Sequence, residues 1–134
     1  MQTCETILHA HTVITQNSDF SVLEDASLAI DHGTIVAIGS KETIEQNWSS
    51  QTYHDFPHGL LLPGLINAHT HVAMTFLRGF ADDMPLMDWL EKKIFPKEAH
   101  LTQEIVSVFS LLGFAEMLAT GTTSCLDMYL FEEA

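Results

Sequence analysis

Basic residues are scarce in this chain. Lys41, Arg78, Lys92, Lys93 and Lys97 stand against 18 acidic residues, for a formal net charge of −13. Such a surface repels phosphate backbones and anionic lipid heads, so nucleic acid and membrane-surface partners are excluded and a neutral, zwitterionic or cationic small molecule is favoured. Cysteine is scarce as well. Cys4 and Cys125, near opposite ends, are too few for a disulfide framework and read as small buried hydrophobes suited to a reducing cytoplasm. No apolar stretch approaches the ~20 residues a membrane-spanning helix needs. The start, MQTCETILHAHTVI, has neither the basic nor the apolar region of a secretory signal, so a cytoplasmic location is expected. Nothing repeats at a fixed period, and no segment is of low complexity.

Apolar residues are plentiful, at 46% of 134, enough for a buried core and too many for a disordered tail. Residues 1 to 58 read as short strands with turn punctuation. Thr6 to Thr15 is rich in β-branched residues, and Ser27 to Ile30 faces Thr34 to Ile38 across Asp31-His32-Gly33, a hairpin signal. Lys41 to Trp48 suits one or two helical turns, and Thr52 to Phe56 another strand, closed by Pro57-His58-Gly59.

The character changes over residues 59–134. LLLPGLINAH, from Leu60, suits a strand buried on both faces. Met84 to Phe95 carries a helix signal ended by Pro96. Thr102 to Thr120 is the strongest helix, with Thr102 as N-cap, Glu104 in the first turn and Gly121 as the stop. Its residues Ile105, Val108, Phe109, Leu112, Ala115 and Leu118 share one face, which predicts a core-facing stripe. Thr122 to Met128 reads as a second buried strand. Strand, helices and strand give an α/β rhythm, that of the first one or two βα units of a TIM (β/α)8 barrel. A closed barrel takes ~250 residues, so the expected architecture is truncated.

His69-Thr70-His71 follows the apolar run. Residues two apart on a strand project to the same side, so both imidazoles can reach one ion. The pair alone is open to two readings, metal ligands or solvated and core-satisfied histidines. His9-Ala10-His11 has the same spacing without the Pro-Gly entry, and there an exposed strand face with two polar residues is expected.

The run PGLINAHTH, Pro63 to His71, resembles the first metal-binding strand of the amidohydrolase superfamily. The continuations MTFLRGFADDMPLMDWLEKKIFPKEAHLT and AEMLATGTTSCLDMYLFEE are similar to its branch of 5-methylthioadenosine/S-adenosylhomocysteine deaminases and triazine-type hydrolases. The resemblance implies that residues 1–58 are strands of a small N-terminal β-sandwich and that residues 59–134 open the barrel of a zinc-type hydrolase. It implies that His69 and His71 ligate one divalent ion, usually zinc, and that Glu98, in Ile94-Phe95-Pro96-Lys97-Glu98, holds the ribose hydroxyls of a nucleoside. The implied reaction is hydrolytic deamination of an adenosine derivative at the purine 6-position, with release of ammonia.

Trp89 reads either as a pocket wall or as core packing, Arg78 as structural, and Asp127 as outside the metal site. The family's further histidines, proton-shuttling glutamate and metal-binding aspartate lie on later strands, so no catalytic residue is expected within this N-terminal fragment and the isolated chain is expected to be inactive. A homo-oligomer is a further expectation, since the family often assembles. Two alternatives stand beside this reading. One is an amidohydrolase of another heterocycle, guanine or a triazine, for which a ribose-binding acid has no purpose; the other is a non-catalytic remnant or assembly module.

Overall fold

The computed structural model describes residues 1–131. The last three residues of the expected 59–134 segment, Glu132, Glu133 and Ala134, lie outside the described residues. The chain divides into two compact units, Met1–Pro63 and Gly64–Ala134.

The first unit is a four-stranded sheet in the order β3-β2-β1-β4. Its strands are β1 (Gln2–Ile14), β2 (Val22–Asp31), β3 (Thr34–Ser40) and β4 (Trp48–Leu61), with the short helix α1 (Lys41–Asn47) before β4. β1–β2 and β2–β3 are antiparallel, whereas β1–β4 is parallel. His32 and Gly33, at φ 48° and 71°, form the two-residue turn of the β2–β3 hairpin. A turn with positive φ at both positions matches strand twist. Ser40 caps α1 by accepting from the Thr43 N–H at 3.2 Å. The core forms two clusters, Cys4, Ile7, Ala29 and Ile44, and Ala10, Val13, Ala26 and Leu28.

Two expectations for this unit are corrected. Pro57-His58-Gly59 does not close the section, because β4 continues to Leu61. The register steps from Ala10↔Phe56 to Thr12↔Leu60, so these three residues bulge opposite His11. A bulge removes Pro57, which has no N–H, from the ladder without ending the strand. His9 is not on an exposed face either: it is 2% exposed. Its Nδ1 lies 2.6 Å from Asp55 Oδ1 and its Nε2 3.0 Å from Asp25 Oδ1. Asp25 reaches it from a left-handed backbone at φ 47°, a conformation Asp tolerates. His11 stays exposed. Burial of a polar ring is tolerable here because both nitrogens have partners.

The second unit pairs β5 (Leu65–Thr70) in parallel with β6 (Thr122–Asp127). The crossover carries a 3₁₀ helix (Val72–Leu77), α2 (Leu86–Trp89), a π-helical turn (Leu90–Ile94), α3 (Phe95–Glu98) and α4 (Gln103–Ala119). Gly64 is required by close approach, since a Cβ there would collide with the Thr123 side chain. Thr102 caps α4, accepting from the Ile105 N–H at 3.3 Å. Among the described residues no single helix is long and apolar enough to cross a membrane, and the Leu86–Glu98 segment meets α4 at 117°.

Several helix and strand expectations change. The first helix does not end at Pro96, which lies inside α3. The wider π turn just before it disrupts the i→i−4 ladder, so the missing proline N–H and the ring are accommodated. The buried side of α4 is Val106 and Gly113, not the expected stripe, and Leu118 is 67% exposed. The helix is apolar nearly all round, so composition does not select which side rests on the 3₁₀ helix. The apolar run splits, with Leu60 and Leu61 ending β4 and β5 starting at Leu65, past Pro63-Gly64. Neither β5 nor β6 is buried on both faces, as Ile66 at 75% exposure shows, and Cys125 is only half-buried. A two-stranded sheet under one helical layer has too few neighbours to cover them.

Candidate metal and substrate site

The site lies at the C-terminal ends of β5 and β6. Parallel strands leave their loops and side chains together at that end, where (β/α)8 proteins assemble their sites. His69 is the second-to-last residue of β5 and His71 lies just beyond the strand, with ring centroids 5.1 Å apart and the planes nearly perpendicular. His69 is exposed and His71 half-buried. The backbone N–H of His69 donates to Asn67 Oδ1 at 3.2 Å, which steadies the strand end.

The chain running out of β6 holds this end in place. His71 Nδ1 lies 2.5 Å from the Met128 carbonyl oxygen. A carbonyl only accepts, so Nδ1 carries the hydrogen and Nε2 keeps its lone pair for a ligand. The Val72 N–H donates to Asp127 Oδ1 at 2.9 Å, securing the first residue of the 3₁₀ helix, and Met128 N–H donates to the Thr70 carbonyl at 3.1 Å. Asp127 thus holds the backbone beside the histidine pair.

Beside the pair opens a cleft of about 510 Å³, lined by His71, Met74, Trp89, Ile94, Glu98 and Tyr129 among others. Its lining is largely apolar with a few polar groups, the usual make-up of a small-molecule site. Trp89 is therefore a wall of the cleft. Glu98 accepts a hydrogen bond from the Tyr129 hydroxyl at 2.8 Å, and the Tyr129 ring lies 6.2 Å from that of His71. Burial first, and then the Glu98 carboxylate, push the Tyr129 phenol well above its ordinary value, so it is a donor. The structure thus brings His69, His71 and Glu98 to one end of this unit. Arg78 lies aside, paired in two parallel bonds with Glu116 at 2.8 and 2.6 Å.

Two imidazoles at this spacing, one with its tautomer fixed by a carbonyl, fit a divalent ion of the zinc type. Another group of ligand atoms, on Glu5, Asp31 and His32, gathers within 4.8 Å elsewhere. It is an exposed surface cluster whose members bond one another, with His32 Nδ1 3.0 Å from Asp31 Oδ2. Reading the sequence alone misses Tyr129. Its segment, Asp-Met-Tyr, carries part of the resemblance, yet nothing in the spacing of Glu98 and Tyr129 signals that they meet.

Comparison with known proteins gives the context. The Amidohydrolase family model matches residues 60–133. A 5-methylthioadenosine/S-adenosylhomocysteine deaminase of Lawsonia intracellularis is 59% identical over 98% of this chain and 30% of its own length. A 5′-deoxyadenosine deaminase of Methanosarcina barkeri is 47% identical over 89% of this chain and 27% of its own length. Among solved structures, an adenosine deaminase from Xanthomonas campestris with bound zinc superposes with TM-score 0.94 at 38% identity, over 98% of this chain and 30% of that one. The chain therefore spans about 30% of the length of the relatives it matches, and its fold is that of the corresponding part of a (β/α)8 hydrolase with its accompanying sheet. On the family match across residues 60–133, the chain belongs to the amidohydrolase family.

Proposed function

We propose that this chain supplies part of the metal and nucleoside site of a hydrolytic deaminase acting on adenosine derivatives such as 5-methylthioadenosine or S-adenosylhomocysteine. His69 and His71 would hold one divalent ion, zinc by the chemistry of the donors. When bound, that ion supplies Lewis acidity for the activation of water. Glu98 accepts hydrogen bonds from the two ribose hydroxyls, as a carboxylate with about four lone-pair sites can. Trp89 and Met74 exclude water from the cleft and offer apolar surface to the purine.

The observation that carries this reading is the meeting of His71, Trp89 and Glu98 around one cleft. The relatives' names add support. By their names these relatives act on 5-methylthioadenosine or S-adenosylhomocysteine and on 5′-deoxyadenosine, molecules that share adenine and the 2′,3′-diol and differ at the 5′ position. Glu98 is assigned to the shared part. Two imidazoles fall short of the three protein ligands usual for a catalytic zinc, so the 134 residues alone do not turn over substrate.

The test is a chimera in which these 134 residues replace the matching segment of the Lawsonia deaminase. It should contain zinc and release ammonia from 5-methylthioadenosine, and the isolated chain should not. Glu98→Gln should lower kcat/KM by about 10- to 100-fold, the loss of one or two bonds to a charged acceptor. Turnover of guanine or a triazine but not of ribosides would sink the proposal in favour of a bare-ring substrate. A soluble, well-folded chain that leaves the chimera without activity would favour an assembly module.

A further inference from the structure

We propose that Tyr129 is a positioning residue for Glu98, fixing the carboxylate for the ribose diol; this rests on the diol role given to Glu98 above. The geometry points there in three steps. First, Tyr129 is the one side-chain hydrogen-bond partner of Glu98 among the described residues, at 2.8 Å to Oε1. No ion pair competes for that carboxylate among the described residues, although Lys97 is its neighbour in sequence, its ammonium lying over the Phe80 ring instead. A half-buried carboxylate with one partner takes its rotamer from that partner. Second, burial and then the Glu98 carboxylate hold the phenol protonated, so Tyr129 is the donor of the pair. Donation to Oε1 uses one lone pair and leaves the remaining positions of Oε1 and Oε2 for the two hydroxyls of a diol.

Third, Tyr129 directly follows Met128, whose carbonyl takes the Nδ1 hydrogen of His71, and Asp127, which receives the Val72 N–H. Three consecutive residues at the end of β6 therefore hold the His71 ring with a backbone oxygen, the Val72 N–H with a carboxylate oxygen, and Glu98 with a hydroxyl. The spacing between the reacting end of a nucleoside and its sugar end is set by this one short stretch. Losing the hydroxyl frees Glu98 to turn without moving His71, which separates substrate binding from the chemical step.

The experiment uses the Lawsonia chimera and compares 5-methylthioadenosine with its 2′,3′-dideoxy counterpart. Tyr129→Phe removes the hydroxyl and keeps the ring. It should raise KM for the diol substrate about fivefold, the effect of one hydrogen bond, with kcat within twofold and zinc content unchanged. The dideoxy substrate should show no change. Tyr129→Phe added to Glu98→Gln should cost nothing beyond Glu98→Gln alone, since the two act through one carboxylate. A silent Tyr129→Phe beside a diol-selective Glu98→Gln overturns the positioning role alone, as does an equal rise in KM for both substrates. A Glu98→Gln loss equal on both substrates overturns the diol reading itself. If the chimera binds but does not react, dissociation constants for the two nucleosides give the same comparison; if it binds neither, the diol reading fails.

Discussion

Replacing Gly113 by alanine would measure how firmly α4 rests behind the histidine pair. Gly113 is buried where α4 crosses the 3₁₀ helix, and a Cβ built there lies 2.6 Å from Val72 Cγ1 and 3.1 Å from the Val72 carbonyl oxygen. Val72 immediately follows His71, is 3% exposed and, being β-branched, has few rotamers to turn into. Two terms oppose each other. Alanine in a helix interior gains about 1 kcal/mol over glycine. Overpacking a core contact costs about 1–3 kcal/mol. With the carbonyl oxygen of Val72 fixed by backbone and the methyl boxed in, the cost falls in the upper part of that range, about 2–3 kcal/mol, and the net loss after the helix gain should be about 1–2 kcal/mol. Urea denaturation followed by tryptophan fluorescence reads it as a lower midpoint at unchanged slope. Val72→Ala added to Gly113→Ala removes the clashing methyl, so the double variant should lose less than the sum of the two single losses. A Gly113→Ala chain as stable as the parent, or more so, would refute the reasoning, because helix propensity would then act without a clash and α4 could not lie this close.

Two further outcomes follow from the hydrogen bonds. The hydrogen bond from His9, together with Lys41, holds the Asp55 carboxyl below its ordinary value of 3.8, although burial pushes the other way. A carboxyl lowered in the folded state adds stability that is complete above its unfolded value and disappears as pH falls through the folded one. Asp55→Asn should therefore flatten the acid limb of a stability–pH curve; an unchanged limb would show that the His9–Asp55 bond contributes nothing. The Met128 carbonyl requires His71 to carry its hydrogen on Nδ1, which ¹⁵N-resolved NMR of the ring reads directly, and a signal from the Nε2–H tautomer would contradict the assigned geometry.

Local signals were legible where chemistry is local. Gly33 announces the hairpin turn, Thr102 and Gly121 bracket α4, and the histidine pair does lie at the end of β5, because caps, turns and strand alternation act within a few residues. What stayed hidden depends on partners distant in sequence. His9 looks like a surface residue until Asp25 and Asp55 arrive from two other strands, each beside a backbone irregularity. The buried side of α4 is decided by a glycine meeting Val72, which hydrophobic periodicity cannot see in a helix apolar on most sides. Tyr129 meets Glu98 only because a parallel crossover returns β6 beside β5. His69, His71 and Glu98 were singled out through a resemblance to a family, and the tyrosine that donates to Glu98 was not.

The π turn at Leu90–Ile94 has a bearing on how the cleft acquires its width. Trp89 and Glu98 are nine residues apart, and in an uninterrupted α-helix of 3.6 residues per turn they would point about 180° away from each other. Both nevertheless line the same cleft. The wider turn rotates each residue less, so the lag accumulated over five positions swings Glu98 round toward Trp89. The helix therefore acts as a phase adjuster: the number of residues in its widened turn sets the angle between an aromatic wall and an acidic anchor, and with it the shape of molecule that fits between them.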